Sequence, residues 1–200
     1  MEVIKVLPYG FGCNSYLVTK DGKNAVVIDC SGPEVYDECI DANLTPVAVL
    51  LTHGHFDHVG GCGKFFEKKV PVYCGEKEQS LIFSEQNRGI FGGVYIPQFE
   101  IFKALKDGEE IELGGINFKV IHTPGHTAGG VCYLAGDSLF TGDTLFKESV
   151  GRSDLPTGNS KQLIESVKKL FALDGDYKVY CGHERETTLD HERSHNPYIK

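Results

Sequence analysis

Between Thr52 and Gly61 the chain reads Thr-His-Gly-His-Phe-Asp-His-Val-Gly-Gly, which sets three imidazoles and one carboxylate within the six positions from His53 to His58. Imidazole and carboxylate are the ligand types that suit zinc and neighbouring first-row metals. The stretch follows the apolar run Val47 to Leu51, a pattern that reads as a buried strand, and it runs into glycines that let side chains and backbone converge on one point. The bland alternative is a polar loop that happens to be rich in histidine. His-x-His-x-Asp-His, however, supplies more ligands than one ion needs.

Three later places put a histidine or an aspartate directly after a strand pattern: Thr123-Pro124-Gly125-His126-Thr127, Phe140-Thr141-Gly142-Asp143-Thr144 and Tyr180-Cys181-Gly182-His183-Glu184. A single histidine at a strand end is more often an ordinary polar residue than a ligand. Together with the first cluster they give seven candidates, His53, His55, Asp57, His58, His126, Asp143 and His183. A tetrahedral ion takes about four ligands, or three and an open water position. Seven candidates therefore point to two ions sharing a bridging group. Asp143 is the natural bridge, because a carboxylate has two oxygens and Asp143 lies between His126 and His183 in sequence.

The elements that must position these residues are legible from periodicity and turn chemistry. Val3 to Pro8 and Ser15 to Thr19 read as strands, Asp21 to Asn24 as a turn, and Ala25 to Asp29 as a third strand. Ser31-Gly32-Pro33-Glu34 opens a helix to about Asn43 that leads into the strand before His53. Helical patterns are expected over Val59 to Lys69 and Glu76 to Gln86, with a strand at Val70 to Cys74. From Asn87 to Phe99 the periodicity fails among Gly89, Gly92, Gly93 and Pro97, as expected of an irregular loop acting as a lid. In the second half, Glu109 to Leu113 and Asn117 to His122 form a hairpin across Gly114-Gly115. Strands at Val131 to Ala135 and Ser138 to Thr141, an amphipathic helix over Asn159 to Leu173, a last strand at Lys178 to Cys181 and a helix over Thr187 to His195 complete the reading. The order strand, helix, strand thus leads to His53 in one half and to His183 in the other, a coarse internal symmetry.

Composition narrows the function classes. With 200 residues, 40% of them hydrophobic, one domain over residues 1–200 is the expectation. A formal net charge of -8 without a basic stripe disfavours nucleic acid as a partner. Neither a signal peptide nor an apolar stretch long enough to span a membrane is readable, so a cytoplasmic protein is expected. The seven cysteines include no C-x-x-C pair and fit reduced thiols better than a disulfide framework.

The ordered set Thr52-His53-x-His55-x-Asp57-His58-x-Gly60-Gly61, Thr123-Pro124-Gly125-His126-Thr127, Phe140-x-Gly142-Asp143 and Cys181-Gly182-His183-Glu184 resembles the metallo-β-lactamase superfamily, and within it the glyoxalase II-like hydrolases. The resemblance runs from Val27-Ile28-Asp29 to Asn196-Pro197-Tyr198. It implies an α/β fold, a four-layer αββα sandwich with the metals at one edge. By that resemblance His53, His55 and His126 hold one ion, Asp57, His58 and His183 the other, and Asp143 bridges them. Zinc is the first expectation for both ions, with iron or manganese as alternatives. The chain resembles a short form without the C-terminal helical domain of full-length glyoxalase II enzymes.

The implied chemistry is hydrolysis of a small-molecule thioester. A hydroxide shared by two ions attacks the acyl carbon, and Asp57 acts as the catalytic residue that orients it. Arg152, in Gly151-Arg152-Ser153-Asp154, together with Lys147 and Tyr198, is a candidate substrate contact, although a structural ion pair of Arg152 with Asp154 is an equal reading. Two other classes stand beside this one. An enzyme resembling persulfide dioxygenases would hold a single non-haem iron at His53, His126 and Asp143. A non-catalytic module would fill its coordination sphere and leave no open position. Acyl group, thiol carrier and oligomeric state are open at this level.

Overall fold

The computed structural model describes residues 1–8, 10, 12–85, 87 and 98–199. Among them the strands form two six-stranded sheets and a small hairpin. In the first sheet β1 (Glu2–Val6), β2 (Ser15–Thr19) and β3 (Asn24–Ile28) are antiparallel. From β3 onward β4 (Thr45–Leu50), β5 (Val72–Gly75) and β6 (Lys103–Leu105) add in parallel. The second sheet runs antiparallel through β7 (Glu110–Leu113), β8 (Ile116–His122), β9 (Val131–Ala135) and β10 (Ser138–Gly142). The hairpin β11 (Leu145–Phe146) and β12 (Ser149–Val150) follows. β13 (Lys178–Cys181) then pairs parallel to β10, and β14 (Thr187–Thr188) closes the edge.

Parallel neighbours need a crossover, and a helix supplies it between β3 and β4 and between β10 and β13. α1 (Glu34–Asp41) joins β3 to β4, and α5 (Ser160–Phe171) lies between β10 and β13. The coarse symmetry read from the sequence is therefore present as two strand-helix-strand crossovers, one per sheet. α5 starts where the Asn159 side chain accepts the Gln162 N–H, and it buries Leu163, Ser166, Val167 and Leu170 on one face. The described residues also contain α2 (Phe56–Val59), α3 (Cys62–Glu67), α4 (Gln79–Ile82) and α6 (Leu189–His195).

Alternation along the strands divides the apolar side chains into three layers of packing. Tyr16, Val18, Val26, Ile28, Ala48 and Leu50 of the first sheet meet Phe118, Val120, Tyr133, Phe140 and Tyr180 of the second. Their neighbours Leu17, Val27, Val49 and Leu51 point outward onto Val35, Cys39 and Phe65 of the first helical layer. Ile121, Cys132, Leu139 and Val179 point outward onto Val167, Leu170 and Leu189 of the second. The order helix, sheet, sheet, helix is the αββα sandwich. Among the described residues no helix is long and apolar enough to cross a membrane.

Several expected bounds change, each for a local reason. The helix expected over Val59 to Lys69 is two short helices, because Gly60 and Gly61 pack against the Ser31 and Gly32 carbonyls so closely that a Cβ would lie 2.4 and 2.3 Å from them. In the helix expected over Glu76 to Gln86, α4 covers Gln79–Ile82, residues 83–84 interrupt it, and Glu85 is again helical. Lys178 to Cys181 is not the last strand, since Thr187 and Thr188 pair with it before α6 begins. β6, β11 and β12 are too short for any periodicity and exist through their partners. Of the expected lid, Asn87 and residues 98–99 are described, while Arg88, Phe91 and Tyr95 lie outside the described residues.

Phe118 is fully buried between the sheets, so Phe118→Ala should lower the unfolding free energy by about 3–5 kcal/mol in urea denaturation. A loss below about 1 kcal/mol would contradict its placement.

Candidate metal centre

Strand ends deliver every candidate ligand. Beyond the C-terminal ends of β4, β8, β10 and β13 lie, in order, His53 with His55, then His126, Asp143 and His183, while Asp57 and His58 ride on α2. Two glycines let these ends come together. Gly142, at φ +49, sits where a Cβ would lie 2.2 Å from Thr52 Oγ1, and a Cβ on Gly182 would lie 2.3 Å from Asp143 Oδ1 and 2.8 Å from His58 Cε1. The Gly182 N–H donates to the Gly142 carbonyl at 2.8 Å, which fixes His183 beside Asp143.

Three ring nitrogens form a closed triangle: His53 Nε2 to His55 Nδ1 at 3.1 Å, His55 Nδ1 to His126 Nε2 at 2.9 Å, and His126 Nε2 to His53 Nε2 at 3.2 Å. Each such nitrogen carries either a proton or a lone pair, so at least one side of the triangle sets two like groups together. Hydrogen bonding cannot account for it. Ligands at about 2.05 Å in tetrahedral array around one ion stand about 3.3 Å apart, close to the observed spacing. Burial, reinforced by the neighbouring imidazoles, depresses His53 well below the ordinary histidine range and His55 to about 3. Both rings are neutral at pH 7, the form that ligates.

A second cluster adjoins the first. His183 Nε2 lies 3.2 Å from Asp57 Oδ2, and His58 Nε2 lies 3.8 Å from the same oxygen. Asp143 stands between the clusters: its Oδ2 is 3.5 Å from His126 Nε2 and 3.5 Å from His183 Nε2, and its Oδ1 is 3.4 Å from His58 Nε2. His58 Nε2 and Asp143 Oδ1 are buried without a hydrogen-bond partner among the described residues. Burial opposes charge on His58, yet the surrounding Cys13, Asp29, Asp57 and Asp143 raise its pKa well above the ordinary value. Burial likewise opposes charge on Asp143, and His58, His126 and His183 outweigh it, so its pKa is lowered. The cluster thus draws positive charge into a buried position and leaves two polar atoms unpaired there. These residues fit a pair of cations.

Outer partners fix which nitrogen of each ring faces the centre. Asp29 Oδ2 accepts from His58 Nδ1 at 2.8 Å and from Thr52 Oγ1 at 2.7 Å, while its Oδ1 accepts the Thr52 N–H at 2.7 Å. Asp29 holds a left-handed φ of +54 to make these bonds, a conformation that Asp tolerates better than most residues. Thr52 Oγ1 is 3.2 Å from His53 Nδ1, and the Arg152 carbonyl accepts from His126 Nδ1 at 2.7 Å.

The candidate substrate contacts are placed differently from the metal cluster. The Arg152 guanidinium forks onto Asp154 at 2.8 and 2.8 Å on the exposed surface, so its tie to the centre is its backbone carbonyl. Tyr198 is 56% exposed in the tail. Lys147 lies with Glu148, Glu184 and Arg185 around a cavity of about 530 Å³. Phe146, its chain neighbour, stands edge-on to His183 with ring centroids 6.1 Å apart. His122, which carries no role in the cluster, pairs its Nε2 with the Ala128 carbonyl at 3.1 Å. Asp29 and Thr52 acquire roles that strand reading alone does not reveal. The only signal is a carboxylate at the end of Val26-Val27-Ile28, where an apolar residue would be expected.

The family model described as the metallo-β-lactamase superfamily matches residues 8–183. The chain belongs to the metallo-β-lactamase superfamily. A superfamily member from Haemophilus influenzae, named hydroxyacylglutathione hydrolase GloC, is 31% identical over 100% of this chain and 97% of its own. Among solved structures, the BLEG-1 B3 metallo-β-lactamase superposes with a TM-score of 0.93 and 32% identity, covering 99% of each chain. TTHA1623, solved in a di-iron-bound form, superposes with a TM-score of 0.83 and 34% identity, covering 97% of this chain and all of its own.

The depressed His55 has a consequence for the metal-free superfamily fold. Its folded pKa of about 3 lies below the roughly 6.5 of an unfolded chain, so the unfolded state takes up the proton first. Stability should fall as pH drops from about 6.5 towards 3, and His55→Gln should make that fall shallower in urea midpoints measured against pH. Identical slopes in parent and variant would contradict the neutral, buried ring.

Proposed function

We propose that this protein is a binuclear metal-dependent hydrolase acting on small-molecule thioesters. The observation that carries the reading is the position of Asp143, within 3.5 Å of nitrogens from both the three-histidine triangle and the Asp57, His58, His183 cluster. In this reading His53, His55 and His126 hold one ion, Asp57, His58 and His183 hold the other, and Asp143 touches both. The single-iron alternative at His53, His126 and Asp143 leaves Asp57, His58 and His183 without a task. Zinc suits the nitrogen-rich first site, and the di-iron form of TTHA1623 makes iron the second choice.

Two divalent ions in such a site bring the pKa of a shared water towards neutrality and polarise the acyl carbonyl. The chain supplies the rest. Burial opposes ionisation of Asp57, but His58 and His183 overcome it and hold its pKa below the ordinary value, so Asp57 is an ionised hydrogen-bond acceptor that would orient the water. Its side chain is 14% exposed and that of His183 is 36% exposed, which marks the side from which substrate enters. Asp29 and the Arg152 carbonyl keep His58 and His126 turned to the centre as charge moves during the reaction. His183 is engaged by Asp57, so the site has no free imidazole to protonate a leaving group. A thiolate, with a pKa near 8.5, leaves without one. That match, and the name of the Haemophilus relative, support a thioester over an amide. Lys147 and Arg185 line a cavity together with Glu148 and with Glu184, the chain neighbour of His183, and offer charge to a carboxylate on the substrate. The net charge of -8 argues against nucleic acid.

Protein purified without added metal should carry about two ions per chain and hydrolyse S-lactoylglutathione and related thioesters faster than a chromogenic cephalosporin. Asp57→Ala should reduce kcat at least about 100-fold while retaining the ion of the three-histidine pocket. One iron per chain with thiol-dependent oxygen uptake would replace this reading by the dioxygenase one, and cephalosporin turnover without thioester turnover would replace the substrate class.

Acid should remove the ions in order. Burial opposes charge on both His58 and His183, but nearby carboxylates raise both above the ordinary value in the metal-free protein, so protons compete for them from neutral pH downward. Depressed His53 and His55 meet that competition only at much lower pH. Metal content after dialysis at stepwise lower pH should show the ion of Asp57, His58 and His183 leaving first. Departure of the three-histidine ion first would contradict the assignment.

A further inference from the structure

Outside the cluster, one carboxylate is wholly buried and bonded to both of the loops that carry the histidine triangle. Glu78, at the start of α4, has no exposed surface. Its Oε1 accepts the Gly54 N–H at 2.8 Å and its Oε2 accepts the Thr127 hydroxyl at 3.0 Å. Gly54 is the residue between His53 and His55, and Thr127 directly follows His126. The same peptide is gripped from its other side, where Asn87 Nδ2 donates to the Gly54 carbonyl at 2.6 Å. The fit around Glu78 is tight: a Cβ on Gly54 would lie 2.4 Å from Ile82 Cγ1, and a Cβ on Gly129 would lie 2.5 Å from Glu78 Oε2.

We propose that Glu78 is a positioning residue that ties the His53, His55 loop to the His126 loop and so sets the affinity of the three-histidine pocket for its ion. The geometry leaves no other described side chain bonding both loops. Burial pushes the Glu78 carboxyl up to about 7, and the two donors that converge on its two oxygens offset the cost of burying it only while both loops keep their places. Displacement of either loop breaks a bond to the buried carboxyl group and opens the triangle, whose sides are 2.9 to 3.2 Å. The other cluster, Asp57, His58 and His183, is held by Asp29 and makes no hydrogen bond to Glu78 among the described residues. Glu78 should therefore act on one ion and spare the other.

This inference rests on the reading of the cluster as a metal centre, and its test needs no substrate. Cobalt(II) is added stepwise to metal-free parent, E78Q and D57A proteins, and binding is followed by visible absorption and by competition with a chelator. Gln keeps the shape of Glu but offers one acceptor oxygen, so the Gly54 N–H and the Thr127 hydroxyl can no longer both donate to the group. E78Q should weaken the three-histidine step roughly 10–100-fold, the range for loss of a partner that orients ligands, and leave the other step unchanged. D57A should do the reverse. T127V, which removes one hydroxyl, should weaken the same step as E78Q by roughly 3–10-fold, and it carries the test if E78Q does not fold. E78Q or T127V with parental affinity at the three-histidine step, or an equal loss at both steps alongside a lower Tm, would show Glu78 to be a packing residue only. A parent chain that takes up no cobalt would overturn this inference and the hydrolase reading together.

Discussion

The contact between the two sheets at Gly142 and Thr52 governs the rest of the molecule. Only a glycine permits it, since a Cβ at Gly142 would stand 2.2 Å from the Thr52 hydroxyl. That approach brings the end of β10, with Asp143, against the end of β4, with the histidine run, although the two strands belong to different sheets. Asp143 then stands within 3.5 Å of nitrogens from both clusters, which neither sheet alone could arrange. The apolar layer between the sheets, built from residues such as Leu50, Tyr133 and Phe140, holds the two strand ends in that relation. Tyr133 adds a direct tie by donating its hydroxyl to the Leu51 carbonyl at 2.7 Å.

Such a cluster is costly in the absence of cations. Three imidazole nitrogens crowd together, Asp57 and Asp143 lie close to one another through His183, and His55 Nε2, His58 Nε2 and Asp143 Oδ1 have no hydrogen-bond partner among the described residues. The fold distributes this cost over outer residues that accept or donate one more bond each. Asp29 takes three donors in a left-handed backbone conformation, Arg152 gives up its carbonyl to His126, and Glu78 bonds to both loops of the triangle. Strain and unpaired groups concentrated at one strand edge are what a functional site looks like when its ligand is a cation.

Much of this was legible in the residues because the ligands announce themselves by type. His53, His55, Asp57 and His58 are contiguous, and His126, Asp143 and His183 each follow a strand pattern, so all seven meet where the reading put them. The αββα order came from the resemblance carried by the motif set, whereas the strands and the two corresponding crossovers were legible because apolar alternation is a local property. Asp29 and Glu78 were not, since one looks like the end of a strand and the other like one charge among Glu76, Lys77 and Glu78. Of the two readings of Arg152 the ion pair with Asp154 is the one seen, while its link to His126 passes through the backbone, which carries no side-chain signature. Helix bounds near Gly60 failed because the break depends on the distant Ser31 and Gly32 carbonyls.

The most direct measurement of the central claim is anomalous diffraction from crystals of the metal-loaded protein. The account predicts two peaks per chain, one ringed by His53, His55 and His126, the other by Asp57, His58 and His183, with a carboxylate oxygen of Asp143 in contact with both. A single peak held by His53, His126 and Asp143, with Asp57 and His183 turned away from it, would contradict the account.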